Sequence, residues 1–170
     1  ILTFAWSLKG MTDSLGAKYF VRDFVYQNAS NFQSFLPAIV FIIGCLLAFA
    51  TGTSWGTFGM LIPIVQNVFP MDNPLAVVCI SACMAGAVCG DHCSPISDTT
   101  IMASAGAQCD HVNHVSTQLP YAITVAAVSF VSYLIAGFVP KAYISLPIAL
   151  VLMLLTIFVL HRTLKGKAAA

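Results

Sequence analysis

The sequence GDHCSPISDTT occupies residues 90–100 and lies between two strongly apolar stretches of the chain. Its eleven positions hold two aspartates, a histidine, two serines, two threonines and a proline. At membrane depth, irregular polar backbone is tolerated only where protein or a water-filled cavity surrounds it. In a membrane protein, this segment would therefore interrupt a helix and place a polar site at the interruption.

The composition of the chain is that of a membrane protein. Of its 170 residues, 59% are hydrophobic and 8% are charged, and the mean hydropathy is +0.90. Soluble domains carry about 25% charged residues. We therefore predict an all-α membrane protein whose transmembrane helices contact the lipid bilayer. The net charge of +1 and the lack of any Lys/Arg run give no indication of a nucleic-acid partner.

Proline predicts where the helix is interrupted. Pro95 lacks an amide hydrogen and pushes the preceding Ser94 out of helical geometry. A first half-helix is expected to end near residues 90–91, and a second to begin with Ser97 or Asp98 as its N-cap. Together the two halves form a broken helix over residues 74–108.

A second polar interruption, ATGTSWGT, divides the apolar run at residues 36–69. One straight helix of that length would extend about 50 Å, whereas the hydrocarbon core of a membrane is about 30 Å thick. We therefore predict a re-entrant helical hairpin over residues 36–69, with legs at 36–51 and 55–68. Its tip consists of Thr51, Gly52, Thr53 and Ser54.

The remaining apolar stretches predict two further spans. The polar loop CDHVNHVS precedes a spanning helix over residues 117–138, which Ser116 or Thr117 can cap. A last span is predicted over residues 146–160.

The chain is therefore expected to have two parts. Residues 1–35 contain the end of a membrane helix and a connecting segment that lies in the membrane interface, a solvated loop being the alternative. Residues 36–170 form one unit with two polar interruptions. Secondary transporters share this feature, because their broken helices direct half-helix ends at a common site.

The interruption makes its two aspartates unequal. Asp91 is expected at the C-terminal end of a half-helix, where the negative end of the helix dipole disfavours an ionised carboxylate and attracts a proton or a cation. Asp98 is expected at a helix N-terminus, which favours the ionised form. A carboxylate that holds a proton and a cation in turn meets the requirement for cation/proton exchange. We predict that Asp91 is this carrier and that Asp98 is a structural residue or a second ligand.

Oxygen ligands for a hard cation are available at both interruptions. At the break they are Ser94, Ser97, Thr99 and Thr100, and at the hairpin tip they are Thr51, Gly52, Thr53, Ser54 and Thr57. The alternative is that these hydroxyls bond back to helix carbonyls and that the glycines at 52, 56 and 59 only let helices pack closely.

Histidines add candidates for proton movement. His92 either relays protons or hydrogen-bonds its neighbours. Asp110, His111 and His114 form a second polar group, which either admits protons or simply faces water at a helix end.

The cysteines and histidines do not predict zinc. Cys89 and Cys93 have a spacing that structural zinc sites use, but His111 and His114 are one residue too close together. The cysteines lie mostly in apolar runs, where they act as small hydrophobic residues rather than as a disulfide framework. No zinc and no cofactor are expected.

Two segments resemble the NhaC-type sodium/proton antiporter family, within the wider ion transporter superfamily. They are FATGTSWGTFGMLIPI (49–64) and GDHCSPISDTTIMASAGAQCDHVNHVSTQLPYA (90–122), and the likeness extends from about Pro37 to Gly137. The resemblance implies an all-helical, multi-pass transporter of the inner membrane, built from two inverted repeats. Each repeat would have a re-entrant hairpin and a broken helix, and this chain would be the C-terminal half, partnered by the N-terminal repeat. Whether such a protein forms a homodimer is left open.

The resemblance implies a transporter rather than an enzyme, one that exchanges sodium for protons by alternating access. Its polar blocks fall at Thr51–Thr57 and Gly90–Thr100, and transported sodium would bind at the Asp91/Asp98 site. An alternative in the same class is a sodium- or proton-coupled organic-acid exchanger, of the malate/lactate type, that holds carboxylates at helix N-termini. An alternative from another class is a membrane-embedded metalloenzyme that uses the Asp, His and Cys side chains.

Overall fold

The computed structural model describes residues 33–70 and 72–168, together with isolated residues between Ser7 and Asp23. The predictions for residues 1–32 lie almost entirely outside this described part. A 3₁₀ turn (Gln33–Phe35) precedes six helices. They are α1 (Leu36–Thr51), α2 (Ser54–Val68), α3 (Pro74–Cys93), α4 (Asp98–Gly106), α5 (His111–Phe138) and α6 (Ala142–Ala168).

Within the part of the chain that the structure describes, four helical segments are long and apolar enough to cross a membrane. They are Gln33–Thr51, Pro74–Cys93, His111–Phe138 and Ala142–Thr163. No residue that the structure describes lies in a β-strand. The predicted all-α membrane-protein fold is therefore confirmed, whereas re-entry of the hairpin into the membrane and membership of an inverted repeat stay predictions.

A left-handed turn separates α1 from α2. Gly52 has a φ of +66°, which glycine adopts readily, and its amide donates to the carbonyl of Ala48 at 2.8 Å. The start of α1 and the end of α2 pack into one apolar cluster with α3, so α1 and α2 run antiparallel. This cluster comprises Val65, Val68, Phe69, Ala76 and Cys79, bordered by Leu36, Val40, Leu75 and Ile80.

The contact of α3 with α1 is the most extensive between helices of the described part. A Cβ atom on Gly86 would overlap the carbonyl oxygen of Phe41, and one on Gly90 would overlap that of Cys45. Gly44 faces the main chain of α3 in a similar way. Because the contacts advance in the same direction along both helices, α1 and α3 run parallel, with their backbones in direct contact.

Helix α5 runs antiparallel to α3. Near one end of the pair, Gln118 Nε2 donates to the carbonyl of His92 at 3.1 Å, and further along, Ser81 Oγ and Tyr133 Oη are hydrogen-bonded at 2.9 Å. Contacts that lie later in α5 are therefore made with residues that lie earlier in α3. This places the first turns of α5 beside the break between α3 and α4.

The prediction that α5 begins at residue 117 is wrong. The helix begins at His111, because Asp110 is its N-cap and accepts the amide of Asn113 at 2.8 Å. Ser116 and Thr117 do not cap the helix; both hydroxyls donate to the carbonyl of Asn113 at 2.9 Å. The polar start of α5 is thus helical although it precedes the apolar stretch.

Helix α6 is also longer than the predicted span of 146–160. It starts at Ala142, with Pro147 inside it, and continues to Ala168. The added C-terminal turns contain Leu, Lys and Arg, which are favourable helix formers. Within the most apolar 18 residues of α6, no residue is buried by the described part of the chain.

Candidate functional site

The break between α3 and α4 lies where Pro95 predicts it. Helix α3 continues to Cys93, slightly beyond the predicted end, and Ser94 leaves helical geometry at φ −81° and ψ +127°. Ser97 is the N-cap of α4, as predicted, because its hydroxyl accepts the amide of Thr100 at 3.4 Å.

Asp91 lies buried at the C-terminal end of α3, with 2% of its surface exposed. Ser97 Oγ donates to Asp91 Oδ1 at 2.7 Å, and Thr99 Oγ1 lies 3.1 Å from Asp91 Oδ2. The two hydroxyl oxygens are themselves 2.7 Å apart. One carboxyl group and two hydroxyls therefore form a closed ring of three contacts, hereafter the Asp91 ring. Thr99 is exposed, so the ring has one member that its surroundings can reach.

The hairpin tip contacts the break directly. The amide of Asp98 donates to the carbonyl of Gly52 at 3.4 Å, and Ser94 Oγ donates to the carbonyl of Phe49 at 2.8 Å. A Cβ atom on Gly52 would lie 2.7 Å from the carbonyl oxygen of Ile96. The structure thus brings together the two polar interruptions, which are about forty residues apart in the sequence.

The hydroxyls at these interruptions fall into two groups. Thr51 and Thr57 bond back to main-chain carbonyls, at 2.8 and 3.1 Å, as the packing alternative predicts. The hydroxyls of Thr53 and Thr100 are buried and have no hydrogen-bond partner among the described residues. Because a buried hydroxyl without a partner costs free energy, a ligand that bonded to either oxygen would offset that cost.

His92 and Asp98 lie at the edge of this arrangement. His92 is exposed, and its Nδ1 lies 2.8 Å from the carbonyl of Val88, one turn earlier in α3. Asp98 is partly exposed in the first turn of α4, the position at which the helix dipole favours a carboxylate. Ser54, at the start of α2, is buried.

The second polar group divides in the same way. Asp110 caps α5, whereas His111 bonds to Pro95 and Ser104, which belong to the break and to α4. The Nε2 atom of His114 is buried without a hydrogen-bond partner among the described residues. A proton-entry role for this group stays a prediction.

Sequence reasoning did not identify Ser104 and Gln118, although both bond to this region. Gln118 donates to the carbonyl of His92 at 3.1 Å, and Ser104 Oγ lies 3.0 Å from His111 Nδ1. The only signal for Gln118 is an amide side chain at the edge of an apolar stretch. Ser104 has no signal, because a serine inside a helix is common.

The metalloenzyme alternative finds no ligand cluster in the described part. Nowhere in that part do three or more His, Cys, Asp or Glu side chains come together in a metal-binding arrangement. Its cysteines are all free thiols, and Cys79 and Cys83 are buried between helices.

Ser97→Ala is expected to lower the free energy of unfolding by about 2 kcal/mol, since it removes both the cap of α4 and a donor to Asp91. The measurement is thermal unfolding of the purified protein in detergent. Ser116→Ala is the matched control, because that serine only bonds back to Asn113 on an exposed face. Equal melting temperatures for the two variants would contradict the capping role.

Known proteins resemble this chain over most of its length. The model of a family described as the Na+/H+ antiporter family matches residues 1–138. An uncharacterized protein of Haemophilus influenzae is 48% identical over 139 residues, covering 81% of this chain and 26% of that protein. No solved structure matches the chain significantly.

Two further relatives have names that state an organic substrate. The malate-2H+/Na+-lactate antiporter of Bacillus subtilis is 35% identical over 98 residues, which are 57% of this chain and 21% of that protein. The arginine/ornithine antiporter of Halobacterium salinarum is 35% identical over 106 residues, which are 59% of this chain and 22% of that protein. The chain thus spans about a quarter of the length of the curated relatives it matches. Because the family model matches well over half of its residues, the chain belongs to the Na+/H+ antiporter family.

Proposed function

We propose that this chain contributes the ion-coupling site of a secondary antiporter that exchanges sodium for protons by alternating access. In this proposal Asp91 holds either a proton or, together with nearby oxygens, a sodium ion. The observation that carries it is the Asp91 ring, a buried carboxyl group whose two oxygens both contact hydroxyls.

Counting hydrogens in the ring supports a carboxyl group that changes its protonation state. With a neutral Asp91, the carboxyl hydrogen points to Thr99, the Thr99 hydrogen points to Ser97, and the Ser97 hydrogen returns to Asp91. Each of the three contacts then contains one hydrogen. With an ionised Asp91, only two hydroxyl hydrogens serve three contacts, so two oxygens face each other without a hydrogen between them. A proton would supply the missing hydrogen, whereas a cation would offset the negative charge of the ionised carboxylate.

Neighbouring oxygens support sodium as the cation. The unpartnered hydroxyls belong to Thr53, next to the tip carbonyl of Gly52, and to Thr100, next to the Asp91 ring. Hard cations bind to hydroxyl, carbonyl and carboxylate oxygens. Asp98, at the start of α4, would add negative charge to the same region. Among the described residues, no Lys, Arg or His forms an ion pair with Asp91 that would compete with a cation.

The finer features of the proposal follow the NhaC-type resemblance. We place the protein in the inner membrane as a multi-pass transporter and this chain in its C-terminal half, with the hairpin α1–α2 re-entrant. The N-terminal repeat of the same transporter would complete the site. The chain spans only about a quarter of the length of its relatives, which supports the proposal that the whole transporter is longer.

Transport by the full-length protein in proteoliposomes tests the exchange. With a pH dye inside and a pH gradient imposed, sodium addition is expected to move protons, while potassium gives no more than the leak of protein-free liposomes. Lithium tests the size limit of the site. Proton movement that is the same with sodium and potassium would contradict sodium exchange.

A second candidate is exchange of carboxylate-bearing substrates. It is favoured by α2, whose N-cap residue Thr53 makes no side-chain capping bond and so leaves the first-turn amides unoccupied by its side chain; helix N-termini of this kind bind anions in other proteins. Malate, lactate, arginine and ornithine, which the names of two relatives state, all carry a carboxylate. In the same liposomes, proton movement that requires malate or arginine in addition to sodium would favour this candidate over simple sodium exchange.

A further inference from the structure

Helix α5 provides donors for two carbonyls that the helix break sets free. In a continuous helix the carbonyls of His92 and Pro95 would each accept the amide four residues later. Instead, Gln118 Nε2 donates to the carbonyl of His92 at 3.1 Å, and His111 Nε2 donates to that of Pro95 at 2.7 Å. Side chains of α5 thus replace the missing main-chain hydrogen bonds of the break.

The imidazole of His111 also reaches the far half of α4. Its Nδ1 lies 3.0 Å from Ser104 Oγ, and Ser104 is buried with 3% of its surface exposed. The same hydroxyl lies 2.9 Å from the carbonyl of Ile101. One ring therefore connects the residues before α4 with the C-terminal part of α4, and it holds the helix from both ends.

These contacts do not depend on the charge of the imidazole. A carbonyl only accepts, so the hydrogen bond to Pro95 requires a hydrogen on Nε2. A neutral ring then accepts the Ser104 hydrogen at Nδ1, whereas a cationic ring donates to Ser104, whose hydrogen turns to Ile101. The hydrogen bond to Pro95 is present in both charge states of the imidazole. A residue that positions α4 requires such a permanent bond, whereas a residue that carries protons does not require it.

We propose that His111 is a positioning residue for the ion site. By holding Pro95 and Ser104, it fixes the first turn of α4, from which Ser97 and Thr99 contact Asp91. His111 makes no hydrogen bond to the atoms of the Asp91 ring and acts on it only through α4. The effect on transport rests on the proposed sodium/proton exchange, whereas the effect on α4 does not.

The test compares His111→Ala with His111→Gln in the full-length transporter. Glutamine keeps a donor at the ε position but cannot carry a proton. His111→Ala removes the hydrogen bonds to Pro95 and to Ser104. It is expected to raise the sodium concentration for half-maximal exchange about five- to tenfold, an effect of the size of one net hydrogen-bond contribution, with less than about a twofold change in maximal rate. His111→Gln is expected to stay within about twofold of wild type. His161→Ala, an exposed histidine of α6, is the control.

Two transport results would overturn the proposal. If alanine and glutamine both leave half-saturation and maximal rate unchanged, His111 positions nothing. If both lower the maximal rate equally without changing half-saturation, His111 relays protons instead. Should the wild type show no sodium-dependent exchange, the proposed function fails, and hydrogen exchange of the amides at 97–104 decides about His111. Faster hydrogen exchange of these amides in His111→Ala alone would support the positioning role. Hydrogen exchange in His111→Ala as slow as in the wild type would overturn it.

Discussion

Asp91→Asn is expected to abolish sodium-driven proton movement, with a fall of at least about 100-fold to the background leak. Asparagine has nearly the same shape as aspartate, and its amide still bonds to Ser97 and Thr99, so the protein should fold. The variant cannot take up a proton or neutralise a cation, and intramembrane carboxylates are rarely dispensable.

The measurement uses the proteoliposomes described above and compares initial rates at equal protein content. Asp72→Asn is the matched control, because Asp72 is exposed in the turn before α3, at the opposite end of that helix from Asp91. It should exchange at the wild-type rate. Normal exchange by a well-folded Asp91→Asn would show that Asp91 is not the carrier, and Asp98 would be the next candidate.

Gly86→Ala is expected to destabilise the protein by about 3 kcal/mol, the upper part of the range for overpacking. The added methyl group would overlap the carbonyl oxygen of Phe41, which belongs to the main chain and cannot rotate away. The parallel helices α1 and α3 would have to separate, and their contact is the most extensive in the described part.

Gly59→Ala in α2 makes the same chemical change without the obstacle, since a Cβ there would meet nothing within 4 Å. Alanine favours a helix over glycine by about 1 kcal/mol, so this variant should be as stable as the wild type or more stable. The stability of both variants would be measured by thermal unfolding in detergent and by the fraction of monodisperse protein after extraction. Equal stability of the two variants would mean that the α1–α3 contact is looser than described.

The position of the break could be predicted because its causes are local. Pro95 lacks an amide hydrogen, and Ser97 is a favourable N-cap, so both act within a few residues of the helix ends that they determine. The turn at Gly52 is local in the same sense. That the tip and the break would meet was predictable only from the general behaviour of broken membrane helices.

The residues that hold the break could not be predicted in this way. His111 and Gln118 bond to the carbonyls of Pro95 and His92, and a main-chain acceptor has no signature in the sequence. Residue 117, the start of α5 that the sequence predicts, is too late for a related reason. Hydropathy marks the apolar part of a helix, whereas Asp110 begins the helix in a polar segment that packs against α4.

The sequence does not show which glycines lie in helix contacts. The glycines chosen from the sequence for helix packing include Gly59, which has no close neighbour, and Gly52, whose role is the turn. Gly86 and Gly90 carry the helix contact instead. Their spacing of four residues places them on one face of α3, but the sequence alone does not say what that face touches.

The hydrogen bond from Asp98 to Gly52 joins the hairpin to the broken helix through main-chain atoms alone. Every residue type except proline could supply the donor at position 98, whereas position 52 calls for glycine, because a Cβ atom there would lie 2.7 Å from the carbonyl oxygen of Ile96. The joint therefore constrains the residue at position 52, whereas the side chain at position 98 can change without loss of this hydrogen bond.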